Sequence, residues 1–143
     1  MQLTISEATE VTEELLQAFQ RLIPQLSSSN SPPDTVAMQD IVASPSTRLL
    51  LARSEDVIVG SLTLVLVRIP TGVRAIIEDV VVDIEIRGQG VGKALSEAAI
   101  ELARAAGAIT VDLTSRSSRV AANRLYRCLG FKIRDTNVYR YRF

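Results

Sequence analysis

The stretch Arg87-Gly88-Gln89-Gly90-Val91-Gly92-Lys93 carries the clearest chemical signal in the sequence. It stands between an apolar run and an amphipathic one, where a strand would hand over to a helix. A helix start exposes unpaired backbone amides and a partial positive charge, a ready seat for phosphate. Glycines bring that backbone close to an anion, and Arg87 and Lys93 add charge at either end. Groups able to move protons are few, because the 143 residues include no His and a single Cys, Cys128. This excludes a Ser-His-Asp triad, a Cys-His pair, His-ligated metal sites, thiolate metal clusters and an internal disulfide. Proton transfer near pH 7 falls to a carboxylate, Tyr, Lys, a thiol or water. Glu78 and Asp79 interrupt the apolar run Ile76–Val82, and Tyr126 lies at the edge of a stripe formed by Ala122, Leu125 and Leu129.

The elements that must hold these residues follow from periodicity. Gln2–Ser6 alternates as a short strand, and Thr12 caps a helix carrying Leu15, Leu16, Phe19, Leu22 and Ile23. Ser27–Asp34 reads as a polar loop, and a second helix starts at Asp34 with Val36, Ala37, Ile41 and Val42 as its apolar side. Strands are expected at Arg48–Arg53, Val57–Ile69 and Arg74–Asp83, with turns at Ser54-Glu55-Asp56 and Pro70-Thr71-Gly72. The Gly90–Ala106 helix lines Val91, Leu95, Ala98 and Leu102 on one side and stops at Gly107. A strand at Ile109–Leu113, a helix at Ser118–Leu129 ended by Gly130, and strands at Phe131–Ile133 and Val138–Phe143 complete the chain. The order β-α-α-β-β-β-α-β-α-β-β calls for an α/β fold with a mixed sheet, helices on both faces and a parallel crossover. One domain spanning 1–143 fits the length.

Composition narrows the class. At 47% hydrophobic and 22% charged, the chain resembles an ordinary globular protein. No apolar run reaches the ~18 residues of a membrane span, and the N-terminus lacks a basic start and apolar core, so a cytoplasmic protein without a membrane partner is expected. Sixteen basic and sixteen acidic residues balance, which argues against a general nucleic-acid binder. The last 28 residues nevertheless hold eight basic groups and one acid. They could seat a small polyanion, or form a solvated surface balanced by the acidic N-terminal part.

Three phosphate motifs compete at the glycine turn. G-x-x-x-x-G-K-[ST] fails because position 87 is Arg and Ala94 follows Lys93. G-x-G-x-x-G fails because the third glycine falls at 92 and position 93 is Lys. The pattern [RQ]-x-x-G-x-[GA] fits as Arg87-Gly88-Gln89-Gly90-Val91-Gly92. Here the sequence resembles the GNAT superfamily of acyl-CoA-dependent N-acetyltransferases. A second stretch, Ala122-Asn123-Arg124-Leu125-Tyr126-Arg127-Cys128-Leu129-Gly130-Phe131, is similar to that family's A-x-x-L-Y-x-x-x-G-F. The resemblance covers roughly residues 48–143.

The resemblance implies a mostly antiparallel, centrally splayed sheet and acetyl-CoA as cosubstrate, with no metal. It implies that the amides of Gly88, Gln89, Gly90, Val91, Gly92 and Lys93 hold the pyrophosphate beside Arg87. Val80, Val81 and Val82 would pair with the pantetheine arm as an added strand. The sheet would part between the strand ending at Asp83 and the one beginning at Ile109. Attack needs a neutral amine, and expulsion of the thiolate is eased by an acid. Glu78 is the favoured base, directly or through water, with Asp79 the alternative; alternation sends the two to opposite faces unless a bulge intervenes. Tyr126 matches the family's general acid. Cys128, beside the apolar stripe, reads as packing. Many members have Asn seven residues before the Tyr, contacting CoA, where this chain has Arg119; Asn123 is the nearest amide and the candidate to take over that cofactor contact. The expected acceptor is a small-molecule primary amine, in a pocket formed by Ser27–Asp34 and Ser115-Arg116. Thr114, where N-terminal peptide acetyltransferases usually carry Glu, lowers the weight of a protein or peptide acceptor. A non-catalytic acyl-CoA-binding module would keep the glycine turn without duties for Glu78 or Tyr126. Family members often form homodimers, sometimes through the last strands.

Overall fold

Thr12 opens the first helix through its own hydroxyl. In the computed structural model, which describes residues 2–143, Thr12 Oγ1 accepts from the Leu15 amide at 3.1 Å. That helix, α1, runs Glu13–Leu26 and follows the edge strand β1, Leu3–Glu7. Asp34 caps α2, Thr35–Ala43, by accepting from the Ala37 amide at 2.8 Å. The strands β2 (Thr47–Ser54), β3 (Val57–Ile69) and β4 (Gly72–Val82) follow as a meander. A short 3-10 turn, Ile84–Ile86, and the glycine turn lead into α3, Val91–Ala105; β5, Val111–Asp112, and α4, Val120–Cys128, come last.

Among the described residues the sheet has five strands in the order β1-β2-β3-β4-β5. The first four pair antiparallel, while β4 and β5 pair parallel only at Ala75↔Val111 and Ile76↔Asp112. Beyond Ile76 the two strands diverge, so the sheet parts beside residues 77–82. The fold class read from the sequence, a mixed and mostly antiparallel sheet flanked by helices, is the one observed.

Each face of the sheet buries its own apolar layer. Leu50, Leu62, Leu64, Ala75 and Ile77 meet Val91, Leu95 and Ala99 of α3 on one side. Leu49, Leu51, Ile58 and Val81 meet Leu15, Phe19 and Leu22 of α1 and Met38 of α2 on the other. Gly60 lets α3 sit close: a Cβ there would stand 3.0 Å from the Val81 carbonyl oxygen and 3.1 Å from Val91. Glu55 and Asp56, at φ 51° and 67°, form the two-residue turn between β2 and β3. Its positive φ angles match the twist of a hairpin.

Four sequence expectations need correction. Phe131–Ile133 and Val138–Phe143 form no strands, and Ile133, Val138, Tyr139, Tyr141 and Phe143 are exposed. Alternation alone cannot order them, because β5 offers two residues of edge and an unsupported hairpin is marginal in water. That strand itself is shorter than the expected 109–113. In α2 the buried side chain is Met38, with Ile41 and Val42 partly covered, whereas Val36 and Ala37 face solvent. Cys128 is exposed and not packed.

Candidate active site

The carboxylates are presented by a break in alternation. Thr63 pairs with Glu78 and Ser61 with Val81, so Asp79 and Val80 together face the single residue Leu62. This bulge holds Asp79 in the left-handed region (φ 49°), which Asp tolerates better than most residues. It turns both Glu78 and Asp79 to solvent, so the opposite-face expectation gives way to its stated exception.

A cleft of about 1930 Å³ opens beside the bulge. Val80, Val81 and Val82, Arg87, Gly88, Gly90, Val91, Gly92 and Lys93 line one half, together with Arg119–Ala122 and Leu125. Gly88 and Gly90 take φ of 79° and 85°, and Gly90 is the residue that begins α3. A glycine has no side chain to cap a helix, and the first intrahelical bond runs from Ala94 to the Gly90 carbonyl at 3.0 Å. The amides of Val91, Gly92 and Lys93 thus have no acceptor within the helix, as a diphosphate site requires. Arg87 is held in place by donating from Nε to the Val82 carbonyl at 3.0 Å.

The other half is lined by Phe19, Ile23 and Leu26 of α1, Met38 and Ile41 of α2, and Leu49, Thr63 and Val65 of the sheet. Ser27–Ser31, Pro33, Ser115 and Arg116 form its rim, where the sequence placed an acceptor pocket. The Ser115 hydroxyl is buried without a hydrogen-bond partner among the described residues. The helical side chains were harder to see, since Phe19, Ile23 and Leu26 follow the spacing of an ordinary core face. Their one distinguishing sign is position, at the end of α1 that leads into the serine loop.

Between the halves a smaller cavity of about 170 Å³ enters the parted sheet. Ile77, Glu78, Asp79, Leu113, Thr114, Arg119 and Tyr126 line it. Glu78 and Tyr126, chosen from sequence, therefore share one cavity; Asp79 and Tyr126 border the main cleft as well. The Tyr126 ring is buried and packs edge-to-face on Phe131, with centroids 5.8 Å apart. Burial raises its pKa above the ordinary tyrosine value, and the charge of Arg119 pulls part of the way back. Two predicted residues stay outside. Gln89 does not line the cleft, and Asn123 uses its amide nitrogen to hold the Arg116 and Arg119 carbonyls, each at 2.8 Å.

One clamp fixes the cleft wall. Arg21 of α1 donates to Asp83 Oδ2 at 3.1 Å and to the Ile58 carbonyl, and the Glu85 amide reaches Asp83 Oδ1 at 3.2 Å. Burial pushes the Asp83 carboxyl up, but the Glu85 amide and the hydrogen bond and charge of Arg21 outweigh it and hold it below the usual carboxylate range. Among the described residues no group of His, Cys, Asp or Glu is arranged to hold a metal, and no helix is long and apolar enough to cross a membrane.

Known proteins share this fold. The Acetyltransferase (GNAT) family pattern matches residues 10–131. A transcriptional regulator from Bacillus halodurans C-125 is similar at 28% identity and TM-score 0.79, over 99% of this chain and 100% of that one. An acetyltransferase from Trypanosoma brucei is similar at 26% identity and TM-score 0.79, over 98% and 99% of the two chains. An aminoglycoside acetyltransferase from an uncultured soil metagenomic sample, solved with trehalose, is similar at 25% identity and TM-score 0.80, over 99% and 95%. No curated protein matches. With the glycine turn, the parted sheet and the family pattern all in agreement, the chain belongs to the GNAT acetyltransferase family and is an acyltransferase.

Proposed function

We propose that the chain transfers the acetyl group of acetyl-CoA to the primary amine of a small molecule, by direct attack in a ternary complex. The observation that carries this reading is the single cleft with a helix N-terminus in one half and an apolar pocket in the other, joined at two carboxylates and a tyrosine. Ligand pockets usually hold about 300–1,000 Å³, so a cleft of about 1930 Å³ has room for two molecules together.

The residues divide the work by location. The amides of Val91, Gly92 and Lys93, with the Gly88 turn and Arg87, grip the diphosphate. The backbone of Val80–Val82, left without a strand partner on the β5 side where the sheet parts, pairs with the pantetheine amides. Bound acetyl-CoA supplies the activated acyl carbon and a thiol leaving group. Asp79, bordering the main cleft, receives the incoming ammonium, and Glu78 takes one proton from it through a water. The amine nitrogen then forms the new C–N bond while the C–S bond breaks. Tyr126 gives its proton to the departing sulfur, and the second amine proton returns to solvent as the amide forms.

Calorimetry with coenzyme A tests the cradle. The wild-type chain is expected to bind with measurable heat, and Gly90→Asp to lose at least 100-fold in affinity. That change sets a carboxylate beside the phosphates and forces a side chain into φ 85°. Absence of wild-type binding would sink the reading.

A further inference from the structure

The charge around the proposed acceptor half identifies the class of amine it takes; this inference rests on amine acetylation as proposed above. Four cations line the main cleft: Arg87, Lys93, Arg116 and Arg119. Among the described residues, Asp79 is the one carboxylate that lines it, and its neighbour Glu78 reaches only the side cavity at the same bulge. The phosphates of coenzyme A carry about three to four negative charges, enough to answer Arg87, Lys93 and Arg119 of the cofactor half, while Arg116, on the acceptor rim, adds a positive charge that a second ammonium would meet. What remains for the acceptor is one acidic spot, Asp79 with Glu78, at the point where the reacting nitrogen must stand.

The rest of the acceptor half carries no negative charge. Phe19, Ile23, Leu26, Met38, Ile41 and Val65 give it an apolar wall, and the serines and Asn30 of Ser27–Ser31 give it a neutral polar rim beside Arg116. A second ammonium would lose water there without gaining a carboxylate, and a buried unpaired charge is strongly disfavoured. We propose that the acceptor is a monoamine with an apolar body: one ammonium delivered to the Asp79 bulge, hydroxyls tolerated at the rim, and no second cationic group. Polyamines and aminoglycosides, which carry several ammonium groups, fall outside this class.

The test is thiol release from acetyl-CoA at about pH 8, where a simple alkyl ammonium with a pKa of about 10 is still charged. The acceptors are hexylamine, 6-aminohexan-1-ol, 1,6-diaminohexane and kanamycin. Hexylamine and the amino alcohol should exceed the diamine and kanamycin at least tenfold in kcat/KM. Val65→Glu, on the partly exposed floor of the pocket, should move the diamine-to-hexylamine ratio at least fivefold toward the diamine. Ile41→Glu tests the same idea from α2 if the first variant folds poorly. Diamine or kanamycin turned over as fast as hexylamine, or an unchanged ratio in both folded variants, would overturn the monoamine assignment alone. No release with any of the four amines, from protein that binds coenzyme A in the calorimeter, would overturn amine acetylation and this inference with it.

Discussion

Tyr126 shows how one side chain acquires a role from its surroundings. Its ring, carried on α4, is buried against Phe131, yet the residue borders both the main cleft and the side cavity. A tyrosine hydroxyl is protonated at neutral pH and burial favours that form further, so it holds a proton to give. Tyr126→Phe preserves the ring packing and removes only that proton. We expect kcat to fall by about 10²-fold or more while the KM for acetyl-CoA changes little, as steady-state kinetics would read. Glu78→Gln should lower kcat similarly, and Asp79→Asn should mainly raise the KM of the amine. An unchanged kcat in Tyr126→Phe would remove the tyrosine from the mechanism. At this scale the sequence was informative where a motif spoke, as for Tyr126 and Gly90. It was ambiguous at Glu78-Asp79, because a bulge depends on how β4 is registered against β3 and not on the two residues themselves.

Helices and strands carry predictions of their own. The β2–β3 turn holds Glu55 and Asp56 at positive φ, where Asn-Gly is the favoured pair. Replacing them by Asn and Gly should stabilise the chain by about 1 kcal/mol, seen as a rise in Tm of about 3–5 °C. The Arg21–Asp83 clamp ties α1 to the end of β4. Because the Asp83 pKa is depressed on folding, its contribution is present above the ordinary carboxylate value and is lost as pH falls through the folded one. Asp83→Asn should therefore cost about 1 kcal/mol near pH 7, a figure kept low because Arg21 is 44% exposed. The gap between the two proteins should close below about pH 4 in urea titrations. A gap that stays constant down to acid would show that the charge is irrelevant. Caps such as Thr12 and Asp34 were legible because each acts within three residues. The apolar face of α2 was not, since which of Val36, Met38 or Ile41 turns inward is decided by where β2 lies.

On the scale of the whole chain, the sheet delivered the expected order through β5 and then stopped. The closing strands were inferred from alternation in Val138–Phe143, which describes a segment able to pair but cannot supply an edge to pair with. The cleft was only partly legible for a related reason: its lining comes from residues 19–65, 79–126 and Val138, brought together by packing that no local pattern records. The glycine turn was legible because its function resides in backbone conformation, which glycine spacing displays directly. The basic C-terminal part resolves into three groups, with Arg116 and Arg119 at the cleft, Arg124 and Arg127 exposed on α4, and Lys132, Arg134, Arg140 and Arg142 on the exposed chain beyond it. Cys128 has a practical use. It is the sole thiol in 143 residues, solvent-accessible, and two positions from Tyr126 on the same helix. A maleimide fluorophore would attach there alone, without removing any competing cysteine, and its emission would follow α4 as ligands enter the neighbouring groove.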